Sequence, residues 1–473
     1  MTSSVMAPSS KLVKTTSLPS HQRSLVQPLR SPRHKRISAM RRALESSMPQ
    51  EELVTAAAGD ADHQPRARRA SDETLAVHAG EKLGKKDAGV GGSGTGIETD
   101  SMATPIVSGT THWFKSSEDL IAFKEGRRHS FEYGRYSNPT VKVLEEKISA
   151  LERAEATLVT SSGMNAITTT LLALVPPGGH VVTTTDCYGE ARAFIRDRLS
   201  VMGAIRSTFV DLDDDMESLK AVLDENDDVA LFYADSPTNP LLKCVDIRHV
   251  AELCHRKGAL VCIDSTMASP INQKPLTLGA DLVLHSATKY MAGHHDVIAG
   301  CISGSEALIS RIRAWHHQLG GAISPNAAYT VIRGLKTMAL RVEAHNSTAL
   351  RMARMLERHP KIERVHYPGL ESSPWHEVAR TQMSGYGGVV RLELKADLRG
   401  TMSFVDALEI PFIATSLGGC ESLVQQPAVM SFWGRSQEDK TKNGIKDNLV
   451  RFSFGIEKFE DLQDDILQAL NRI

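Results

Sequence analysis

Several apolar runs in this chain end in residue types that a buried strand does not need. DLVLHS is followed at once by ATKY, which puts Lys289 at a strand end beside Ser286 and Thr288. A lysine there is ordinarily a surface charge. In a partly buried site its pKa falls and the amine becomes a nucleophile or a base. ALVCID ends in Asp264, and a carboxylate at the end of so apolar a run requires a partner, since burying it unpaired is costly. A cationic ring nitrogen would be one such partner. SSGMNAITTTLLALV opens a helical stretch at Ser161, Ser162 and Gly163, whose first N–H groups could face a phosphate. DCYGEAR puts Tyr188 just past a strand, where its ring could stack on a planar ligand. ADSPTNP adds a further polar strand end. Lysine, aspartate, stacking tyrosine and phosphate cradle together describe a site for pyridoxal 5'-phosphate (PLP), in which a protonated ring nitrogen makes the ring an electron sink.

The elements that must position these residues are short. ATLVT (156–160), HVVTTT (180–185), VALFYAD (229–235), ALVCID (259–264) and DLVLHS (281–286) read as strands. VKVLEEKISALERA (141–154) carries Val141, Leu144, Ile148 and Leu151 on one helical face. Continuous apolar strands alternating with helices predict a mostly parallel sheet covered on both faces. Ligands in such sheets bind beyond the carboxyl ends of the strands, which is where the polar residues fall. Beyond about residue 325 the texture changes to one long or broken helical segment, then to a smaller α/β region reaching Ile473.

The chain has 473 residues, 55 Lys and Arg against 56 Asp and Glu, and 41% apolar residues. That suits a protein of two or three domains and gives no support for nucleic-acid binding. No apolar run approaches the roughly 18 residues of a membrane helix. The cysteines (Cys187, Cys244, Cys254, Cys262, Cys301 and Cys420) form no C-x-x-C pair and read as reduced, mostly buried thiols. Residues 1–70 hold 12 basic and 5 acidic residues, and the first 50 hold 11 serines and one acid, Glu45. Rich in Ser and Arg and poor in acid, this is the composition of an organelle transit peptide. Other motifs carry less. The Gly-rich 84–96 stretch lacks a strand before it and reads as a loop, and Asp211, Asp213 and Asp215 lack the glycine of a calcium loop and read as a solvated turn. Ser286–Lys289 matches S-x-x-K, but the companion motifs of serine acyl hydrolases are absent. The pairs His294–His295 and His316–His317 point their members apart, so surface or satisfied histidines are expected and no metal.

With these residues in hand, the chain resembles the Cys/Met-metabolism family of PLP enzymes from about Val77 to Ile473. The likeness rests on EYGRYSNPT (132–140), SSGM (161–164), TTTDCY (183–188), DSPTNP (235–240), VCIDST (261–266), HSATKY (285–290), GHHDVIAG (293–300), SLGGCES (416–422) and GIKDNLVRFSFGIE (444–457). The resemblance implies an α/β, aspartate-aminotransferase-like (fold type I) architecture. Its parts would be a tail at 1–70, an N-terminal arm at 71–130, a large PLP domain at 131–325 and a C-terminal α/β domain at 326–473. It implies Lys289 as the Schiff-base lysine and proton shuttle, Asp264 on the pyridine nitrogen, and Tyr188 stacked on the ring and assisting proton transfer. Gly163, Met164, Ser286 and Thr288 would hold the phosphate. Tyr133 and Arg135 would reach the cofactor phosphate of a neighbouring subunit, in a homotetramer with shared sites. Arg451, read as lying just ahead of a short apolar strand, would clamp the substrate α-carboxylate with Asn239 and Ser416, and Glu421 would lie at the distal end of the substrate.

The plant-type branch of the family implies a plastid enzyme of methionine biosynthesis. It would join an activated homoserine, O-phosphohomoserine for preference, to cysteine and give L-cystathionine. A γ-lyase acting on cystathionine or methionine, or an O-acylhomoserine sulfhydrylase, would use the same groups. The sequence departs from the branch at Glu190, where a basic residue is usual, and at Asn165 and Met267. A carboxylate at 190 facing the site would repel a phosphorylated substrate, with Arg192 and Arg196 near enough in sequence to offset it.

Overall fold

The computed structural model describes residues 70–81, 101–212, 216–442 and 444–473. The tail before residue 70, the Gly-rich 84–96 stretch and Asp213–Asp215 lie outside them.

The first sheet has seven strands. They are β1 (Ala156–Thr160), β2 (His180–Thr184), β3 (Arg206–Val210), β4 (Val229–Asp235), β5 (Leu260–Asp264), β6 (Leu282–His285) and β7 (Gly300–Gly304), in the order β1-β7-β6-β5-β4-β2-β3. β7 alone runs against its neighbours, and the other pairings from β6 to β3 are parallel. The central strands are apolar throughout because helices cover both faces. Leu158, Leu231, Cys262, Leu284 and Ile302 lie in one buried cluster, and Val182, Phe232, Val261 and Ile263 lie in another.

Local chemistry sets the helices that matter. α1 (Pro139–Glu152) starts at Asn138, whose side chain accepts the Thr140 N–H at 2.9 Å, with proline in the first turn where its missing N–H is harmless. α2 (Gly163–Leu174) starts at Ser162, whose hydroxyl accepts the Asn165 N–H at 3.1 Å. α3 (Gly189–Phe194) follows Tyr188 directly. α4 (Ile247–Arg256) covers the sheet on the Val261 side, and α5 (Glu306–Leu319) covers the side of α2. The long helical segment is broken, as α6 (Pro325–Leu335) and α7 (Met338–Glu357), at Lys336–Thr337.

The second sheet comprises β8 (Ile362–His366), β9 (Val389–Leu394), β10 (Phe412–Ile413), β11 (Leu423–Gln425) and β12 (Leu449–Ser453), ordered β10-β11-β12-β9-β8 and antiparallel except for β10 with β11. Phe404 of α8 (Leu398–Asp406) and Leu462 and Ile466 of α9 (Phe459–Leu470) pack in one core with Val390, Leu392 and Phe452 of this sheet.

Two strands depart from the sequence reading. β3 (RSTFV) is a partly exposed edge strand with a mixed pattern, and β7 (GCISG) is bounded by glycines. Gly300 is there because the backbone of β7 passes close to the start of α2: a Cβ on it would lie 2.2 Å from the Ser162 carbonyl oxygen. Arg451 is a third departure. It sits within β12 rather than ahead of an apolar strand, and it is buried. His316 is buried as well, so it is not a surface histidine. All six cysteines are free and only Cys420 is not fully buried. No described helix is long and apolar enough to cross a membrane.

Candidate active site

Because β4, β5 and β6 are neighbours, their carboxyl ends bring Asp235, Asp264 and the Ser286–Lys289 turn to one edge of the first sheet. Lys289 Nζ donates to Ser416 Oγ at 2.6 Å. Burial, and secondarily the Arg451 guanidinium, lowers its pKa from 10.5 to about 8. Arg451 Nη1 donates to Asn239 Oδ1 at 2.9 Å and Nη2 to the Ser416 carbonyl at 2.6 Å. Its Nε is buried with no partner among the described residues, and burial brings its pKa down to about 10. The predicted trio of Arg451, Asn239 and Ser416 thus stands together, and Ser416 also touches the lysine. Ser416 adopts φ +83°, a left-handed conformation that side chains other than glycine rarely take and that is typical of over-determined functional positions.

Asp264 is buried. Its Oδ1 accepts the Thr266 N–H at 2.9 Å, and Oδ2 lies 3.5 Å from the Tyr233 hydroxyl. Burial raises its pKa against these hydrogen bonds and the nearby His285. No cation stands in an ion pair with it among the described residues, which is the condition that a protonated ring nitrogen would relieve. Tyr188 is 41% exposed, and its backbone N–H donates to Asp235 Oδ2 at 2.9 Å. Burial, followed by Glu190 and the two aspartates, raises its phenol pKa, so in this chain by itself it is a neutral donor.

The phosphate cradle is shaped by Gly163. A Cβ there would stand 2.9 Å from Ser286 Cβ, so the side chain of Ser286 leaves room only for glycine. Gly163 and Met164 occupy the first two positions of α2, where backbone N–H groups have no carbonyl a turn earlier. The Met164 side chain packs on the apolar cluster beneath the helix. Thr288 is less free than its position suggests: Oγ1 donates to the Ala299 carbonyl at 3.1 Å and accepts the Ala299 N–H at 3.0 Å. A phosphate oxygen would compete for its one hydrogen. The lysine, the uncompensated Asp264 and the glycine-shaped cradle fit PLP.

A cleft of ≈ 600 Å³ opens beside Ser416, lined among others by Thr288, His295, Ile298, Phe412 and Glu421. Glu421 Oε2 lies 3.8 Å from His295 Nε2. Tyr133 and Arg135 are not joined to this site within the chain. Arg135 donates to the His317 carbonyl and stacks on Tyr136 at 4.9 Å and on Tyr133 at 5.6 Å, and Tyr133 is 42% exposed. Glu190 is exposed in the first turn of α3. Arg192 is tied to the Thr185 carbonyl and Arg196 to Asp197. Met267 is buried in the core that contains Tyr290.

Residues 88–471 match the Cys/Met metabolism PLP-dependent enzyme family. The chain belongs to that family. Within it, the chain is 59% identical over 403 residues to cystathionine gamma-synthase 1, chloroplastic, of Nicotiana tabacum, covering 85% of this chain and 72% of that protein. The protein of the same name from Arabidopsis thaliana is 58% identical over 403 residues, covering 85% and 69%. Among solved structures, cystathionine gamma synthase from Xanthomonas oryzae pv. oryzae, in complex with aminoacrylate and cysteine, matches with a TM-score of 0.76 and 34% identity, covering 85% of this chain and 98% of that one. The family is PLP-dependent, in keeping with the residues gathered at this sheet edge. Sequence reasoning passed over Asp235 and Tyr233, although Asp235 ends an apolar strand just as Asp264 does. The argument that a buried carboxylate requires a partner applied to both.

Proposed function

We infer that the protein is a cystathionine γ-synthase: a PLP-dependent transferase of methionine biosynthesis that joins an activated homoserine to L-cysteine and yields L-cystathionine. The observation that carries this reading is the 59% identity to the tobacco enzyme across 403 residues. The tobacco and Arabidopsis relatives are named chloroplastic, and the Ser- and Arg-rich, acid-poor composition of residues 1–70 agrees with import into the chloroplast.

The geometry supports the site roles that the family likeness implies. Lys289, Asp264, Tyr188, Ser286, Thr288 and the N–H groups of Gly163 and Met164 would hold the cofactor. Once bound, PLP supplies an electron sink for bond breaking at the substrate's α-carbon and the carbons beyond it. Lys289 Nζ moves the protons. A pKa near 8 leaves a useful fraction of the amine neutral at plastid pH, where an ordinary lysine would be almost wholly an ammonium. Arg451 receives the substrate α-carboxylate. Its two Nη groups are oriented by Asn239 and Ser416, and its Nε is the donor without a partner. A carboxylate held there would bring the α-carbon toward Lys289, a reading supported by the contact of Ser416 with both cations. The γ-carbon would then lie along the cleft that Glu421 lines, where the leaving group would depart and the cysteine sulfur arrive.

For the leaving group we propose phosphate, on the strength of the plant-type likeness. Tyr133 and Arg135 would serve the site of a neighbouring subunit in a homotetramer. An assay of cystathionine formation from phospho-, succinyl- and acetyl-homoserine, each with and without cysteine, tests the reading. Product from the phosphoester with cysteine is expected, and 2-oxobutanoate alone in every arm would replace it with a lyase.

A further inference from the structure

We propose that Asp235 is a positioning residue for the cofactor ring, fixing the backbone of Tyr188 with one carboxylate oxygen and, with the other, taking the hydrogen of the Tyr233 hydroxyl that also lies beside Asp264. The proposal rests on the reading of this sheet edge as a PLP site and adds to it a residue with no assigned role.

Three contacts carry it. Asp235 Oδ2 accepts the Tyr188 N–H at 2.9 Å. Asp235 Oδ1 accepts the Tyr233 hydroxyl at 3.1 Å. The same hydroxyl lies 3.5 Å from Asp264 Oδ2. The backbone explains why they meet. Asp235 and Asp264 are register partners on the parallel strands β4 and β5, and Tyr233 precedes Asp235 by two residues, so all three leave the same face of the sheet. All three are buried.

The arrangement has a direction. One hydroxyl hydrogen can serve only one carboxylate, and the shorter contact gives it to Asp235. Asp264 Oδ2 is left open toward a cationic ring nitrogen. Asp235 itself has both oxygens engaged by protein donors, so it is not a second ligand for that nitrogen. Burial, and then the neighbouring Asp264, pushes its pKa well above the usual carboxylate range, which agrees with two acids sharing a site where one cation is expected. Tyr188 closes the turn between β2 and α3, and the Asp235 contact ties the end of that turn to the sheet. One carboxylate thereby anchors the ring-stacking residue and keeps the Tyr233 hydrogen away from the ring-nitrogen residue.

The test uses the full chain. The native protein, Asp235→Ala, Asp235→Asn and Tyr233→Phe are stripped of cofactor and titrated with PLP by the quenching of intrinsic fluorescence. The pH dependence of the bound cofactor's absorbance and the melting of the stripped proteins are recorded alongside. Asp235→Ala leaves the Tyr188 N–H without its acceptor, and the PLP dissociation constant should rise about tenfold. Asp235→Asn keeps one acceptor and should lose less. Tyr233→Phe keeps the Tyr188 anchor, so affinity should change little while the absorbance midpoint moves by about half a pH unit or more. A purely structural residue would lower the melting temperature of the stripped protein and leave the absorbance titration of the surviving fold unmoved. Native affinity and a native titration curve in folded Asp235→Asn and Tyr233→Phe would overturn the proposal, even if Asp235→Ala failed to fold. A native chain that took up no PLP would overturn the cofactor site itself, which is a distinguishable failure.

Discussion

Lys289 Nζ donates to Ser416 Oγ at 2.6 Å, while the carbonyl oxygen of the same serine accepts from Arg451 Nη2 at 2.6 Å. One residue of the second sheet's loop thus holds the base that ends the first sheet and the arginine set in β12. The spacing between proton transfer and carboxylate binding is built into a single backbone unit.

Removing that hydroxyl should change the pH dependence of turnover. The amine works as a base only when neutral, so kcat should rise as pH climbs through about 8. Ser416 Oγ accepts a hydrogen from Nζ and so favours the ammonium. In Ser416→Ala the pKa falls, and the acid limb of kcat against pH should move down by about 0.5–1 unit, corresponding to a hydrogen bond of about 1 kcal/mol. The carbonyl that orients Arg451 remains, so KM should change little. A limb that stays in place would show that the contact does not set the lysine's acidity.

Arg451 separates binding from cofactor retention. Losing one partner of a buried charge pair costs about 2–5 kcal/mol, so Arg451→Ala should raise KM for the homoserine ester by a few hundredfold at the middle of that range. PLP absorbance should persist, since no cofactor-holding residue is altered. Arg451→Lys should rescue little: a point ammonium cannot reproduce the paired contacts to Asn239 and Ser416. Steady-state kinetics with spectra of the same samples decides the matter, and an unchanged KM would remove Arg451 from the clamp.

Much of this site was legible because each functional side chain interrupts an apolar strand at its end. Lys289 and Asp264 could be read from that contrast alone, and Ser162 and Gly163 from the onset of a helix. What could not be read is long-range. Ser416 is 127 residues from Lys289, and Asn239 is 212 residues from Arg451. Only the packing of two sheets brings them together. Arg451 looked like a residue ahead of a strand because an arginine inside an apolar run contradicts the pattern, and β12 tolerates it because Asn239 and the Ser416 carbonyl, from distant loops, partner both Nη atoms. β7 was missed because glycines at both ends mask its strand character, although close backbone approach at Gly300 is what places it. Asp235 was visible as a residue but not as a role, since its contacts with Tyr188 and Tyr233 depend on the register of β4 against β5.

Gly300 and Gly163 should fail differently. In Gly300→Ala the new Cβ meets the backbone oxygen of Ser162 at 2.2 Å, whereas in Gly163→Ala it meets the side chain of Ser286 at 2.9 Å. Overpacking against backbone should cost Gly300→Ala about 1–3 kcal/mol in urea unfolding of the stripped protein. Gly163→Ala should unfold closer to the native protein but bind PLP more weakly. The opposite ranking would mean that α2, not β7, carries the strain.

Glu190 should matter little. It is exposed after Tyr188, where solvent and salt screen its charge. Glu190→Lys is expected to raise kcat/KM for phosphohomoserine by no more than about fivefold over its effect on the acetyl ester, about 1 kcal/mol. A gain of a hundredfold would place that side chain against the leaving group instead.

The assembly makes the last prediction. Arg135 in the isolated chain donates to the His317 carbonyl and stacks on Tyr136, with no contact to Lys289 or the α2 cradle. If it completes a neighbour's site, Arg135→Ala and Lys289→Ala damage the same site from different subunits. Each pure variant should be inactive or nearly so. Mixed and reassembled at equal amounts, half of the dimers would hold one copy of each, and one site in each such dimer would be intact. Recovery should therefore approach about a quarter of native activity. Differently tagged copies, co-purified through one tag, would establish that mixed dimers had formed. Activity confined to those mixed dimers is the expected result. Mixed dimers with none would leave Arg135 serving its own subunit, or none, and would remove the shared site from the mechanism.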